Sequence, residues 1–212
     1  MTANLFAPQI ARSAALASRR FSIWRGGDAL GFQSVDLRQD GDRLRVEIGI
    51  EIVVRVLGIA AYRYEMRNVE LWRDARLQAL QSQTNDDGTA HRLSVTRKGD
   101  QLSVEGTGFS GLVAGDAATT TYWSPAFLNR ATWINTQDGA PLSVKAQLSG
   151  SQTLRLAGGT IEAERWSISG GLELALYYAG QEWVANRFSA RGEEVLILAE
   201  DTRTPLAPYF SA

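Results

Sequence analysis

The sequence predicts an all-β protein, mainly antiparallel, in which the strands form one large curved open sheet or half-barrel. From Arg19 onward, apolar residues recur at every second position over long runs, which is the period of a strand and not of a helix. Dipeptides typical of tight turns, such as Asp87-Gly88 and Gly99-Asp100, separate these runs. No helical pattern is long enough to cross between parallel strands, so we expect hairpin connections.

The first 18 residues are expected to form a separate N-terminal segment, either helical or disordered. Residues 8–18, "PQIARSAALAS", predict a short helix with Pro8 in its first turn. Arg12 interrupts the short alanine-rich stretch, which therefore lacks the apolar core of a secretory signal peptide. Two locations stay open: the periplasm if a signal peptide has been removed, and the cytoplasm otherwise.

The clearest strand is "RLRVEIGIEIVVRV", residues 43–56. Its even-numbered positions are all apolar and fall on one face, whereas arginine, glutamate and glycine occupy most of the other face. A strand of this length spans roughly 40 Å at ~3.3 Å per residue. Such long strands are typical of strongly curved, extended sheets. The single β domain is expected to cover residues 19–199.

The next run, "YRYEMRNVELWR" at residues 62–73, alternates as well. Tyr62, Tyr64 and Trp72 share a face with two polar residues, Asn68 and Glu70. Glu65, Arg67, Asn68 and Glu70 add charged and polar groups to this aromatic strand and predict cross-strand ion pairs on a solvent face, which contribute little stability. An acid–base pair or a site for a ligand carboxylate is the alternative.

A distinctive stretch, "TTTYWSPAFLNR", occupies residues 119–130. Ser124 and Pro125 are a favourable N-cap and first-turn pair, so one or two helical turns are expected near residues 124–130. If Tyr122 and Trp123 precede this helix in extended structure, their side chains point to opposite faces. We expect Trp123 to be the one that faces the cavity. Residues 200–212 have no period and are expected to form a C-terminal strap or tail.

Composition excludes several classes of site. The formal net charge is −1, which gives no field to attract nucleic acid. The chain has no cysteine and only one histidine, His91, so disulfides and zinc–thiolate sites are excluded, and we expect neither metal nor cofactor. No run approaches the ~20 apolar residues of a membrane-spanning helix. The oligomeric state stays open.

Aromatic residues with polar tips are the best candidates for a ligand site, because on a concave sheet face they bury an apolar body and keep a hydrogen-bonding group. The predicted ligand-binding residues are Tyr62, Tyr64, Trp72, Trp123, Trp133 and Tyr178. Their partner would be a hydrophobic or aromatic small molecule, an acyl chain or another lipid. Packing in the core is the alternative for each of them.

Catalytic candidates are weaker, and comprise Tyr64, Glu65, His91 and Arg187. His91 as a general base would need a hydrogen-bonding partner and a pocket. Three functions therefore stay open. The first is a carrier or binding protein for an apolar ligand. The second is a cofactor-independent isomerase-like or cyclase-like enzyme that uses tyrosine, glutamate and arginine on the concave face. The third is a structural module of the cell envelope.

Several strings in order resemble a family of bacterial proteins designated as a domain of unknown function, DUF6134, whose members are often exported. They are "FSIWRGGDALGFQSVDL", "YRYEMRNVELWRDARLQALQSQTNDDGTAH", "TTTYWSPAFLN", "NTQDG" and "LELALYYAGQEWVANRFSA", and the resemblance covers residues 19–198. At the level of fold, the long-strand meander is similar to the half-barrels of bacterial lipoprotein carriers and of the violacein-pathway enzyme that shares their fold. This similarity implies a concave surface for an apolar ligand, and the violacein-type enzyme uses no metal or cofactor.

Overall fold

The computed structural model describes residues 17–206, which form one large open sheet and a single 3-10 helix. The first eight strands are β1 (Ala17–Arg25), β2 (Asp28–Asp40), β3 (Arg43–Val56), β4 (Ile59–Arg73), β5 (Arg76–Asp86), β6 (Thr89–Lys98), β7 (Gln101–Gly106) and β8 (Ser110–Ala114). The others are β9 (Ala118–Thr119), β10 (Thr132–Ile134), β11 (Pro141–Leu156), β12 (Gly159–Gly170), β13 (Leu174–Ala179), β14 (Glu182–Ala190) and β15 (Glu193–Ala199), and the 3-10 helix spans Pro125–Asn129. The predicted all-β class is confirmed.

The order of strands across the sheet is β8-β7-β6-β5-β4-β3-β2-β1-β15-β14-β13-β12-β11-β10-β9. Each pair of neighbours is antiparallel except β9 and β10, which are parallel. The chain therefore forms two meanders, β1–β8 and β9–β15, which meet where β1 pairs with β15. The two free edges, β8 and β9, are separated in the chain only by residues 115–117. The sheet is thus strongly curved but is not closed into a barrel.

Strand β3 has the bounds that its alternation predicted, Arg43–Val56. Its even-numbered side chains point to the concave face, where Leu44, Val46 and Ile48 are buried. Exposure then rises along the strand until Val56 is 58% exposed. The concave face is therefore a packed core at one end of β3 and open at the other.

The segment from residue 115 to residue 140 packs against the inner face of the sheet. Its 3-10 helix begins after Ser124, whose hydroxyl accepts a hydrogen bond from the Ala126 amide at 3.3 Å. Both the predicted helix near residues 124–130 and its cap are confirmed. Phe127 of the helix is buried and stacks on Trp72 of β4 with a centroid distance of 5.2 Å. This contact fills the end of the half-barrel opposite to the β3–β4 turn.

A second, smaller apolar cluster lies on the convex side. The β11–β12 hairpin has an irregular register between Leu148 and Ser151. Beyond that point, Leu154 and Ala163 pack with Tyr177 of β13 and Leu198 of β15. The distal half of the hairpin therefore covers the outer face of β13–β15, and both faces of these strands are partly buried.

The two ends of the described chain lie side by side. Strand β1 begins at Ala17, so the expected N-terminal helix overlaps the described residues only at Ala17 and Ser18, which are extended, and the rest of it lies outside them. Residues 200–206 run along β1 and β14, where Leu206 is buried, while residues 207–212 lie outside the described part. Within residues 17–206 no helix has the length and apolarity needed to span a bilayer.

Candidate functional site

The concave face holds a cavity of about 520 Å³, a size typical of small-molecule sites. One wall is the row of inward side chains of β3, including Ile48, Ile50, Ile52 and Val54. A second wall comes from the inward side chains of β1, β15 and β14, which follow β3 and β2 in the order of the sheet. Loop residues 120–122 and 135–137 face these strands. The cavity is therefore built from both meanders and from the inner segment.

Exposure defines an inner end and a mouth. At the inner end Ile48 is 3% exposed and Asn186 is 2% exposed. The mouth lies beside the β3–β4 turn, where Val56 is largely exposed, and two arginines line it, Arg25 and Arg191. Arg25 forms an ion pair with Glu193 at 2.9 Å. The positive charge of the cavity is thus restricted to its entrance.

Tyr62 and Tyr64 line the cavity, as the alternation of β4 requires, and a polar network fixes both. The Tyr62 hydroxyl donates to Asp86 at 2.8 Å, and the Tyr64 hydroxyl donates to the side-chain oxygen of Gln137 at 3.2 Å. The Gln137 amide in turn donates to Asp86 at 3.3 Å. Burial raises the pKa of Tyr64 to about 12 and also raises the pKa of Tyr62. Both phenols are therefore neutral hydrogen-bonding groups at physiological pH.

Tyr122, and not Trp123, faces the cavity, which corrects the expected placement. The expectation assumed extended backbone, but Tyr122 adopts the left-handed conformation with φ at 59°, and this breaks the alternation of faces. The backbone carbonyl of Tyr122 accepts a hydrogen bond from the buried Tyr178 hydroxyl at 2.7 Å. Tyr178 therefore holds the strained residue in position from behind the cavity wall.

Trp123 is buried on the other side of this wall in a cluster with Trp72 and Phe127. Its indole N–H donates at 3.0 Å to Glu70, which also accepts the indole N–H of Trp72 at 2.7 Å. The Thr121 hydroxyl lies 3.1 Å from the other oxygen of the same carboxyl. Glu70 is fully buried, and burial raises its pKa. The two indoles are thus fixed by one buried carboxyl group.

Trp133 is also buried away from the cavity. Its indole N–H lies 3.1 Å from the carbonyl of Phe127 and 3.2 Å from that of Arg130, at the C-terminal end of the 3-10 helix. Of the six predicted ligand-binding residues, the structure places Tyr62 and Tyr64 on the cavity wall. It places Trp72, Trp123, Trp133 and Tyr178 in the packing that supports the wall.

Comparisons with known proteins agree with this architecture. A family model described as a domain of unknown function, DUF6134, matches residues 21–199. The chain belongs to the DUF6134 family. Among solved structures, a beta-barrel-like protein of the domain of unknown function DUF1849 from Brucella abortus matches with a TM-score of 0.56 at 7% identity, over 86% of this chain and 94% of that one. At this identity the similarity concerns the fold alone. A comparison with curated protein sequences gives no match.

The four candidate catalytic residues of this DUF6134 protein do not converge. Tyr64 faces the cavity, whereas its neighbour Glu65 is exposed on the outer face of β4. Arg187 lies outside the cavity lining, with its guanidinium 5.8 Å from the Tyr177 ring and 3.7 Å from Glu194. His91 on β6 contacts the Thr107 hydroxyl at 3.3 Å, also outside the lining. These four residues therefore form no common site.

The polar residues of the DUF6134 cavity that sequence reasoning missed include Gln33 on β2, Asn186 on β14 and Tyr122. Gln33 and Asn186 are 3% and 2% exposed, respectively. The signal for Gln33 and Asn186 was a polar residue at an inward strand position between apolar ones. No such signal existed for Tyr122, since its orientation depends on one unusual backbone angle. Within residues 17–206 no group of three or more histidine, aspartate or glutamate side chains is placed to hold a metal ion.

Proposed function

We propose that this DUF6134 protein binds a hydrophobic or aromatic small molecule, or an acyl chain, on the concave face of its half-barrel, as a carrier or binding protein. The observation that carries the proposal is the cavity of about 520 Å³ with the apolar row of β3 along one wall. Ligand sites are typically concave and mainly apolar, with a few placed polar groups. This cavity has that composition, and its mouth opens beside the β3–β4 turn.

The supporting packing favours a pre-formed site. The wall behind Tyr122 consists of buried aromatic residues whose polar atoms all have partners, among them Trp123, Trp133 and Tyr178. A site of this kind loses little conformational freedom when it binds, so more of the interaction free energy appears as affinity. The rigid wall therefore supports binding of a ligand of defined shape.

The test is binding of the apolar dye N-phenyl-1-naphthylamine, followed by its fluorescence, to the purified protein and to two variants of β3. Ile52→Glu places a carboxylate on the cavity wall, opposite Tyr64 in the register. Val53→Glu is the matched control, because Val53 points outward and pairs with Arg63. We expect Ile52→Glu to weaken dye binding about tenfold or more, since a buried unpaired charge is unfavourable, and Val53→Glu to bind like the parent.

Equal dye binding by the two glutamate variants would contradict the proposal, because the dye would then bind elsewhere. Native mass measurement of the protein purified without detergent supplies a second readout. A retained apolar molecule that is lost in Ile52→Glu but kept in Val53→Glu would support the site.

A further inference from the structure

Three neutral polar groups line the cavity and have no hydrogen-bond partner within residues 17–206. They are the Tyr122 hydroxyl, the Gln33 amide and the Asn186 amide. The Asn186 side-chain oxygen is fully enclosed and still unpaired. Buried polar groups in folded proteins are almost always hydrogen-bonded, so the enclosed Asn186 oxygen requires an explanation. The Gln33 amide and the Tyr122 hydroxyl are open to partners from within the cavity. A ligand with polar atoms at these positions would supply the missing partners.

Several other polar groups of the same cavity already have hydrogen-bond partners within the protein. The Thr120 and Thr136 hydroxyls lie 2.9 Å apart, and Asn135 accepts the backbone amide of Gln137 at 3.1 Å. Tyr62 and Tyr64 belong to the network with Asp86 described above. These hydroxyls of the loop wall and the β4 wall are therefore already satisfied, whereas Gln33, Asn186 and Tyr122 are positions where a neutral ligand group would gain a hydrogen bond.

Two of the three groups lie at the inner end. Gln33 pairs in the register with Ile50 of β3 and with the buried Phe21 of β1. Asn186 pairs with Ile197 of β15, which is 6% exposed, and with the buried Leu176 of β13. Neither amide is near the exposed Val56, so a ligand group that reaches them has passed the apolar wall of β3.

Charge decides what kind of group could bind there. Among residues 17–206, no lysine and no arginine lines the inner end, since the only two arginines that line the cavity in this part of the chain, Arg25 and Arg191, stand at the mouth. A carboxylate or phosphate moved to the inner end would lose its hydration without gaining a cation, at a large free-energy cost. Amide and hydroxyl groups can instead both donate to and accept from an uncharged partner.

We propose that the cavity selects an apolar molecule carrying an uncharged hydroxyl or carboxamide group, bound with this group at the inner end against Asn186 and Gln33, with the Tyr122 hydroxyl as a further hydrogen-bonding position on the wall and with its apolar part along β3. This inference rests on the proposed function and specifies its ligand class. Fatty acids do not belong to this class, because their carboxylate would have to stay at the mouth of the cavity.

The experiment measures how 1-decanol, decanamide and decanoate displace N-phenyl-1-naphthylamine at pH 8, all below their aggregation concentrations. The three probes share a chain length and differ in the polar group. We expect 1-decanol and decanamide to compete at least about tenfold better than decanoate, because only the ionised group must be buried without a cation.

Two cavity variants locate the polar group, and a surface variant is the control. Tyr122→Phe removes only the unpaired hydroxyl, and Asn186→Leu removes the inner amide at similar volume. Each should weaken competition by the best neutral probe about fivefold, the effect of one lost hydrogen bond, once the inhibition constant is corrected for the dye affinity of that variant. Gln83→Leu, at an exposed position of β5, should change neither.

Two outcomes would overturn the inference. The first is competition by decanoate as good as that by 1-decanol, which would place the polar group at the mouth. The second is unchanged competition by the neutral probes in both cavity variants. In either case the dye and the Ile52→Glu result would leave the proposed function intact. If neither the dye nor any probe binds, the proposed function fails and the ligand class fails with it.

Discussion

At the scale of single residues, Glu70 is a carboxyl group buried among aromatic side chains. It is fully buried and has no ion-pair partner within the described residues, yet it orients Trp72 and Trp123 through their indole N–H groups. Indole N–H groups only donate, and they share one oxygen of the carboxyl. The other oxygen faces the Thr121 hydroxyl, which can also accept. A proton on this second oxygen would therefore give hydrogen-bond partners to both indole N–H groups, to the Thr121 hydroxyl and to the carboxyl group itself, without a buried charge.

Replacing Glu70 with glutamine tests this arrangement. Burial raises the pKa of Glu70, so its protonated form contributes stability that is fully present below the ordinary carboxyl pKa of 4.5 and is lost as pH rises through the raised value. Glutamine keeps the acceptor for the indoles and a donor for Thr121 but does not titrate. We expect Glu70→Gln to be more stable than the parent at pH 9, by on the order of 1 kcal/mol, and to lose less stability between pH 5 and pH 9.

The measurement is urea unfolding at both pH values, followed by tryptophan fluorescence. Glu164→Gln is the control, because Glu164 also accepts an indole N–H two residues away, from Trp166 at 3.2 Å, but is exposed. Identical pH dependence in the parent and in Glu70→Gln would show that Glu70 titrates normally in the folded protein.

At the scale of elements, the β3–β4 hairpin has an unfavourable turn for its geometry. Leu57 and Gly58 form the turn with φ at 50° and 82°, and a two-residue turn with positive φ at both positions favours Asn-Gly. Leu57 is also 98% exposed, so its side chain gains no packing in exchange. The turn therefore combines backbone strain with exposed apolar surface at the mouth of the cavity.

Replacing Leu57 with asparagine should stabilise the protein by about 0.5–1 kcal/mol, because asparagine tolerates the left-handed conformation better than leucine. Thermal unfolding followed by circular dichroism measures the change. Asp87→Asn is the matched control: Asp87-Gly88 has the same geometry, with φ at 49° and 94°, and aspartate is already favourable there. A lower melting temperature in Leu57→Asn would mean that Leu57 makes stabilising contacts that its exposure hides.

The elements also show how far the sequence could predict the structure. The strict alternation of β3 is enough for its bounds, because a strand with one buried face admits no other register. Leu57-Gly58 is not a typical turn dipeptide. In the sequence, the boundary between β3 and β4 is therefore marked only by the end of one alternating run and the start of the next. The alternation of faces does not hold at Tyr122, where a positive φ and a long-range contact from Tyr178 decide the orientation. Such contacts are invisible to local patterns.

At the scale of the whole molecule, Arg19 connects three distant parts of the chain. Its buried side chain lies 2.8 Å from Glu182 and donates to the carbonyls of Trp183 and Thr204, at 3.0 Å each. It thereby joins β1, the start of β14 and the strap at residues 200–206. The backbone amide of Leu206 also binds Glu182, at 3.0 Å. One guanidinium therefore holds the end of the described chain against its beginning.

Replacing Arg19 with methionine should destabilise the protein by about 3 kcal/mol, since breaking a buried ion pair leaves the remaining polar groups without their partner. Urea unfolding measures the loss, and limited proteolysis should cut the strap faster. Arg20→Met is the control, because Arg20 and its partner Glu200 are 52% and 43% exposed and such surface pairs contribute at most about 1 kcal/mol. Equal losses of unfolding free energy in the two variants would show that the Arg19 contacts contribute no more stability than an exposed ion pair.

The pairing of β1 with β15 has a consequence for the order of folding. Each of the other ladders joins strands that are consecutive along the chain, whereas this one joins residues 21–25 to residues 195–199. Contacts between residues that are far apart in the chain form slowly, because the entropy of closing a long loop is lost before the contacts contribute stability. Both meanders can therefore form early, but the cavity, whose walls come from each of them, exists only once β15 has docked on β1. Ligand binding during refolding would thus report this last docking step.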